Sequence, residues 1–216
     1  MFISLEGMEG SGKSTQRDRL GAWLESLGKS VVLTREPGAT ALGRGLRAML
    51  LDCRHAAMGD TAELFLFLAD RAQHVNEVIR PALEEGQIVL CDRYADSTLV
   101  YQGYGRGLSI DDLQHLSDIA SGGLLPDLTL LLDLPPQLGL ERAGRRNQEH
   151  GTVLSEGRFD AESLDFHRRI REGYLDMARR DSSRFVVIDA REDVNQVFAE
   201  CQKAVTKMVG AHAGKI

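Results

Sequence analysis

Short apolar runs alternate with longer stretches of mixed polarity along the whole chain. Phe2 to Glu6 (FISLE) reads as a buried strand, and Ser14 to Leu27 as a helix closed by Gly28. Val31 to Thr34 reads as a second strand, with the loop Arg35-Glu36-Pro37-Gly38 behind it. Between Thr61 and Glu85, Leu64, Leu68, Val75, Val78, Ile79 and Leu83 recur at helical spacing, and Pro81 marks a kink or a division. Ile88 to Cys91, Leu128 to Asp133 and Phe185 to Asp189 supply strands three to five. Helical patterns fill the intervals, and the last, Val194 to Val209, runs into a short tail at 211–216.

Strict alternation of strand and helix predicts an α/β fold: a five-stranded parallel sheet with helices on both faces. Ligands of such sheets sit beyond the carboxyl ends of the strands. No internal repeat or low-complexity segment interrupts the pattern, so one domain over 1–210 is expected. The polar stretch Arg145 to Gly157 (RRNQEHGTVLSEG) reads as a mobile loop.

Charge narrows the partners. A net charge of −6 disfavours general nucleic-acid binding, which wants a positive surface, but leaves room for a small anionic ligand. Arginine carries the positive charge, since only five of the 26 basic residues are lysine. The arginines at 142, 145, 146 and 158 cluster, and a planar guanidinium suits phosphate oxygens, although solvated helices hold most arginines. Three widely spaced cysteines (Cys53, Cys91, Cys201) without a CxxC pair disfavour a disulfide framework or a zinc site. The apolar runs are too short to span a bilayer, and the N-terminus lacks a basic flank and cleavage site, so a cytoplasmic protein is expected.

The sharpest chemistry lies just after the first strand. Gly7-Met8-Glu9-Gly10-Ser11-Gly12-Lys13-Ser14 matches GxxxxGK[ST], between a strand and a helix as the mechanism of that loop requires. Backbone N–H groups of a glycine-rich turn and a helix N-terminus cradle phosphate, Lys13 neutralises charge, and Ser14 can offer its hydroxyl to Mg2+. A P-loop leaves the reaction open among a GTPase switch, an ATPase motor and a small-molecule kinase. No [NT]KxD motif supports a GTPase, and the DxxG match Asp18 to Gly21 falls inside the following helix. Ser121-Gly122-Gly123 ahead of Asp133 imitates a transporter-ATPase signature, but the interval has no room for the helix that should follow it.

Three more clusters follow predicted strands: Arg35 to Gly38, then Asp92-Arg93-Tyr94 with Ser97, Thr98, Tyr101 and Gln102, then the arginine-rich segment. Phe67 and Arg71, four apart, share a helix face. Together these motifs resemble the bacterial type of thymidylate kinase. Glu6 to Thr15 matches that family's EGxxGxGKST, and Thr34 to Thr40 matches TREPGGT with Ala39 for the second glycine. Leu64 to Val75 matches LLFxADRAQHV, Asp92 to Gly103 matches DRYxxSxxAYQG, and Pro126 to Asp133 matches PDLTxxLD. An arginine-rich lid, ending near Gly157-Arg158-Phe159 and expected at about 142–160, completes the pattern. The resemblance runs from Phe2 to about Val209.

The resemblance implies a nucleoside monophosphate kinase that moves the γ-phosphoryl of ATP, with Mg2+, onto dTMP. It implies that Gly7 to Thr15, with Arg142 in the lid and Arg191 near the adenine, hold ATP. Phe67 would stack on thymine, and Thr98 and Gln102 would face the base edge. Arg71 and Arg93 would grip the acceptor's phosphate, with Arg35 close by and Pro37 and Ser97 beside them. Tyr101 would lie where a 2′-hydroxyl would project. Ser14 and Asp92 would serve Mg2+, and Glu9 the metal or the sugar. Arg142, Arg145, Arg146 and Arg158 are the candidates for the transferring phosphoryl, Arg146 and Arg158 ahead of the others. Most members of the family are homodimers, with helices such as Thr61 to Glu85 packing across the interface. Kinases for deoxyuridine, cytidine or adenosine monophosphate remain alternatives, as does a nucleotide-binding regulator without turnover.

Overall fold

In the computed structural model, which describes residues 1–213, strand and helix alternate as the pattern predicts. The strands are β1 (Phe2–Glu6), β2 (Val31–Arg35), β3 (Ile88–Asp92), β4 (Leu128–Asp133) and β5 (Phe185–Asp189). All pair in parallel, in the order β2-β3-β1-β4-β5. The central strand β1 is covered on both sides. Ile3 and Leu5 join Leu20 and Leu24 of α1 (Lys13–Ser26) and Cys201 and Val205 of α10 (Val194–Ala213). Phe2 faces the other way, among Val75, Ile79 and Tyr94. This two-sided burial explains why the strands read as continuous apolar runs, and each fully buried side chain adds ~1.5–3 kcal/mol.

The order places β1 at the switch point, where connections leave toward opposite edges of the sheet, so the P-loop and the ends of β2 and β3 open into one crevice. The long predicted helix is one rod in three parts. α3 (Asp60–His74) passes through a π-helical turn, Val75–Ile79, into α4 (Arg80–Glu84), where Pro81 takes a first-turn position. Proline has no N–H for the ladder, and a helix entered afresh at its first turn needs none there. After β3, α5 (Ala95–Thr98) also widens into a π segment, Leu99–Gly105.

Two expectations change. Arg145 to His150, read as part of a loop, are the last turn and a half of α7 (Pro136–His150), which Gly151 closes at φ 67°. The rest forms a short helix α8 (Val153–Glu156), before α9 (Leu164–Arg180). The other helices are α2 (Ala41–Leu51) and α6 (Ile110–Ser121). Of the expected tail, 211–213 continue α10 and 214–216 lie outside the described residues. The glycines of Ser121-Gly122-Gly123, at φ 60° and 72°, close α6, so the ATPase-like signature is a helix terminus.

Candidate active site

The loop from Gly7 to Gly12 is tight enough to demand glycine. A Cβ on Gly7 (φ 138°) would stand 2.6 Å from the Leu132 carbonyl oxygen, and one on Gly10 (φ 71°) would stand 2.1 Å from that of Gly139. Lys13 is buried, and its ammonium donates to the carbonyls of Gly7 (3.0 Å) and Met8 (2.8 Å) and to Ser11 Oγ (3.4 Å). Burial, with Arg93 close by, pushes Lys13 down to about 8. Ser14 donates its hydroxyl to Asp92 at the end of the neighbouring strand, so a hydroxyl and a carboxylate meet at the mouth of the loop. Hard divalent cations take oxygen donors of this kind.

Beside the loop lies a cavity of ≈ 380 Å³. Its walls contain every expected acceptor residue: Glu9, Arg35, Pro37, Phe67, Arg71, Arg93, Ser97, Thr98, Tyr101 and Gln102. Gly10, Gly12, Lys13, Ser14, Thr15, Asp92, Arg142 and Arg146 join them, whereas Gly7, Met8 and Ser11 form the loop without lining the cavity. Phe67 is half-buried and packs on Phe159, ring centres 6.0 Å apart. Glu9 Oε1 accepts from Arg93 (2.8 Å) and from the Tyr101 hydroxyl (2.7 Å). Burial raises the cost of charge on Glu9, but Arg93 and Lys13 outweigh it and hold the carboxyl below its ordinary value.

Arg71 and Arg93 share no hydrogen-bond partner. Arg71, 1% exposed, donates to Glu36 (2.9 Å), the Thr98 hydroxyl (2.8 Å) and the Tyr94 carbonyl (3.0 Å). It therefore belongs with Thr98, the group expected at the base edge, while Arg93 stands with Glu9 next to the P-loop. Gln102 donates to Glu63 (2.9 Å), itself 1% exposed.

The lid arginines separate. Arg146 lines the cavity, bonded only to the neighbouring Asn147 side chain among the described residues. Arg142 lines it too and donates to the Ala190 carbonyl at 3.1 Å. Arg145 is exposed and outside the cavity wall. Arg158, expected beside Arg146, is 4% exposed and turned away, donating to Glu63 at 2.6 Å and to the Leu50 carbonyl. Glu63 holds both Arg158 and Arg106, because a carboxylate buried this deeply is stable only when its charge is matched. Arg191, expected near adenine, is exposed, forks onto Asp189 and does not line the cavity.

Sequence reading passed over several cavity residues, Arg47, Glu36 and Asp160 among them. Arg47 of α2 lines the wall, donates to the Pro37 carbonyl (3.2 Å), pairs with Glu156 of α8 (3.2 Å) and leaves a buried Nε without a partner. Glu36, inside the Arg35 to Gly38 loop, joins Arg71 to His74 (2.9 Å). Asp160 sits against Asn147 (2.6 Å) on the lid side. A signal existed for Glu63 as well, which precedes Phe67 and Arg71 at four-residue steps on one helical stripe.

A phosphate cradle and a deep pocket with an aromatic wall and arginine at both ends thus open into one cavity. That layout defines a P-loop kinase, joining a nucleotide donor to a small, flat, anionic acceptor. Comparison with known proteins sharpens the class. The profile of the thymidylate kinase family matches residues 5–201. The thymidylate kinase of Desulfovibrio desulfuricans is 60% identical over 205 residues, covering 95% of this chain and 94% of that one. That of Nitratidesulfovibrio vulgaris is 57% identical over 213 residues, 99% of each chain. A crystal structure of thymidylate kinase from Ehrlichia chaffeensis superposes with a TM-score of 0.76 at 33% identity, covering 95% of this chain and 98% of the other. The chain belongs to the thymidylate kinase family.

Proposed function

We propose that the chain phosphorylates dTMP to dTDP with ATP as donor, a step of DNA-precursor synthesis. The observation that carries this reading is the single cavity shared by the P-loop and by Phe67, Thr98, Tyr101 and Arg93. ATP lays its phosphates along Gly7 to Thr15, where Lys13 leaves its carbonyl partners for the stronger charge of the phosphates. Thymine lies on Phe67, with Thr98, Gln102 and Arg71 at its edge. Arg71 fits the base end better than the phosphate end, because its guanidinium is bonded to Thr98. Arg93 and the unspent Nε of Arg47 grip the acceptor phosphate, with Arg35 nearby. Tyr101, held by Glu9, closes the side of the sugar where a 2′-hydroxyl would project.

Phosphoryl transfer between phosphate oxygens needs alignment and charge neutralisation more than a strong base. Ser14 and Asp92 would hold Mg2+, since a hydroxyl and a carboxylate meet there and hard divalent cations take such oxygen donors. Bound there, the ion supplies charge neutralisation on the donor phosphates. Arg146 of the lid, at about 142–160 of a kinase domain spanning 1–210, would reach the transferring phosphoryl; Arg146→Ala should lower turnover at least tenfold.

A homodimer fits the outward side chains Phe65 of α3 and Ile119 of α6, 55% and 65% exposed. Phe65→Glu should then yield a monomer by light scattering. A cytoplasmic enzyme fits the absence, among the described residues, of any helix long and apolar enough to cross a membrane. Release of ADP from Mg-ATP with each nucleoside monophosphate in turn tests the function. Preference for dTMP supports it; preference for another monophosphate discards the thymine pocket, and silence with every acceptor discards the kinase.

A further inference from the structure

Arg93 holds a left-handed backbone conformation (φ 68°), uncommon for a residue with a side chain and sustained only where the surroundings hold it. Its N–H donates to the Leu5 carbonyl at 3.0 Å, and Cys91 Sγ donates to its carbonyl at 3.0 Å. The next amide, that of Tyr94, donates to Oε1 of Glu6 at 2.8 Å. Glu6 ends β1 and is fully buried. Its other oxygen, Oε2, accepts from the hydroxyls of Ser97 (2.7 Å) and Tyr174 (2.8 Å). Both hydroxyl oxygens lie 3.3 Å from Nη1 of Arg93.

Proton counting gives this cluster a direction. When Glu6 is ionised its carboxylate only accepts, and each hydroxyl has one proton. The arrangement in which both protons turn to Oε2 leaves the oxygen lone pairs facing the guanidinium and the 2.9 Å contact between the two hydroxyls without a shared proton. Glu6 therefore acts on Arg93 from two sides, through the amide of the next residue, Tyr94, and through two hydroxyls that face the guanidinium. Nη2 is tied to Glu9, and the guanidinium sits 4.8 Å over the Tyr101 ring. Neither Glu6 nor Tyr174 lines the cavity.

We propose that Glu6 and Tyr174 are positioning residues, orienting Arg93 onto the acceptor's phosphate without touching substrate. The proposal rests on the reading of Arg93 as the acceptor-phosphate arginine. Burial, with Asp96 of α5 nearby, lifts Glu6 to about 7, while Arg93 after β3, Lys13 of α1 and Arg71 of α3 set positive charge against it and Tyr174 of α9 donates to it. Orientation is then strongest above neutrality, where Glu6 is ionised.

Tyr174→Phe keeps the ring in the core and deletes only the hydroxyl. Steady-state kinetics should show the KM for dTMP raised about fivefold to tenfold, with the KM for ATP within twofold. In an Arg93→Ala background the same substitution should change nothing further, because its effect runs through Arg93. Glu6→Gln should flatten the fall in kcat/KM for dTMP below pH 7, relative to wild type under identical buffers. An unchanged KM for dTMP in Tyr174→Phe, equal shifts in both KM values, or a persistent effect without Arg93 would overturn the proposal. If Arg93→Ala itself leaves the KM for dTMP alone, the reading of Arg93 fails and the proposal with it. Thermal unfolding of Tyr174→Phe separates these outcomes from simple loss of fold.

Discussion

Where α3 meets the helix after β3, Arg71 engages all three guanidinium nitrogens, Glu36 also holds His74, and Gln102 rests on Glu63. Across the cavity, the Arg35 side chain hydrogen-bonds none of the described residues, Arg47 keeps an unpartnered Nε, and the Arg146 side chain hydrogen-bonds only Asn147 among them. The end proposed for the base has already met the desolvation cost of its charges by pairing them internally, an arrangement suited to selection by shape. The end proposed for the phosphate and lid keeps donor capacity free for an anion: Arg35 and Arg146 are exposed, and Arg47, although paired with Glu156, has an Nε without a partner. Stability is concentrated at one end and ligand affinity at the other.

Substitutions at the two ends should therefore fail differently. The largest effect is expected of Lys13→Ala, which removes the charge proposed to face the transferred phosphoryl. Turnover should fall by about 10³-fold, on the order of 4 kcal/mol, as measured by ADP release. Glu36→Ala, at the base end, strands buried Arg71 and His74 and should cost about 3–5 kcal/mol, lowering Tm by roughly 10 °C. Differential scanning calorimetry reads this directly, and a variant that melts with the wild type would erase the contrast. Arg47→Ala should do the reverse: Tm within about 2 °C and the KM for dTMP raised about tenfold.

A pH series sharpens the same comparison at a smaller scale. Burial, with Glu36 close by, pushes Asp70 up to about 6 in the folded chain, against an ordinary 3.8. The folded state thus keeps a proton that the unfolded chain has released. The stability this supplies is complete below about pH 3.8 and is lost as pH rises through 6. Unfolding free energies of the wild type, measured against Asp70→Asn, should decline from pH 4 to 7. A constant difference would mean that Asp70 ionises like an exposed carboxylate. The smallest effect is expected of Arg191→Ala: with its guanidinium committed to Asp189, the KM for ATP should change less than twofold. A larger rise would return Arg191 to the adenine.

Much of this was legible in one dimension. The P-loop announces itself because its chemistry is local: consecutive amides and glycines must bend around one phosphate, so the residues are adjacent in sequence. The five strands are legible because burial on both faces leaves no polar alternation in them. Phe67 and Arg71 could be paired because helical spacing sets them on one face. Arg47 escaped because nothing in GRGLRAML distinguishes it from an arginine on a solvated helix. Arg158 was assigned to the phosphoryl group because it follows a lid-like stretch, and no rule of spacing reveals that Glu63, 95 residues earlier, lies within 2.6 Å of it.

The sequence alone determined the order of elements, the parallel sheet, the phosphate cradle and most of the residues proposed for the acceptor. Tertiary structure decided which charge each arginine answers: Arg71 to Glu36, Arg158 to Glu63, Arg93 to Glu9. Backbone geometry follows from neighbours along the chain. The partner of a guanidinium follows from which carboxylate is buried beside it, and burial is a property of the folded whole.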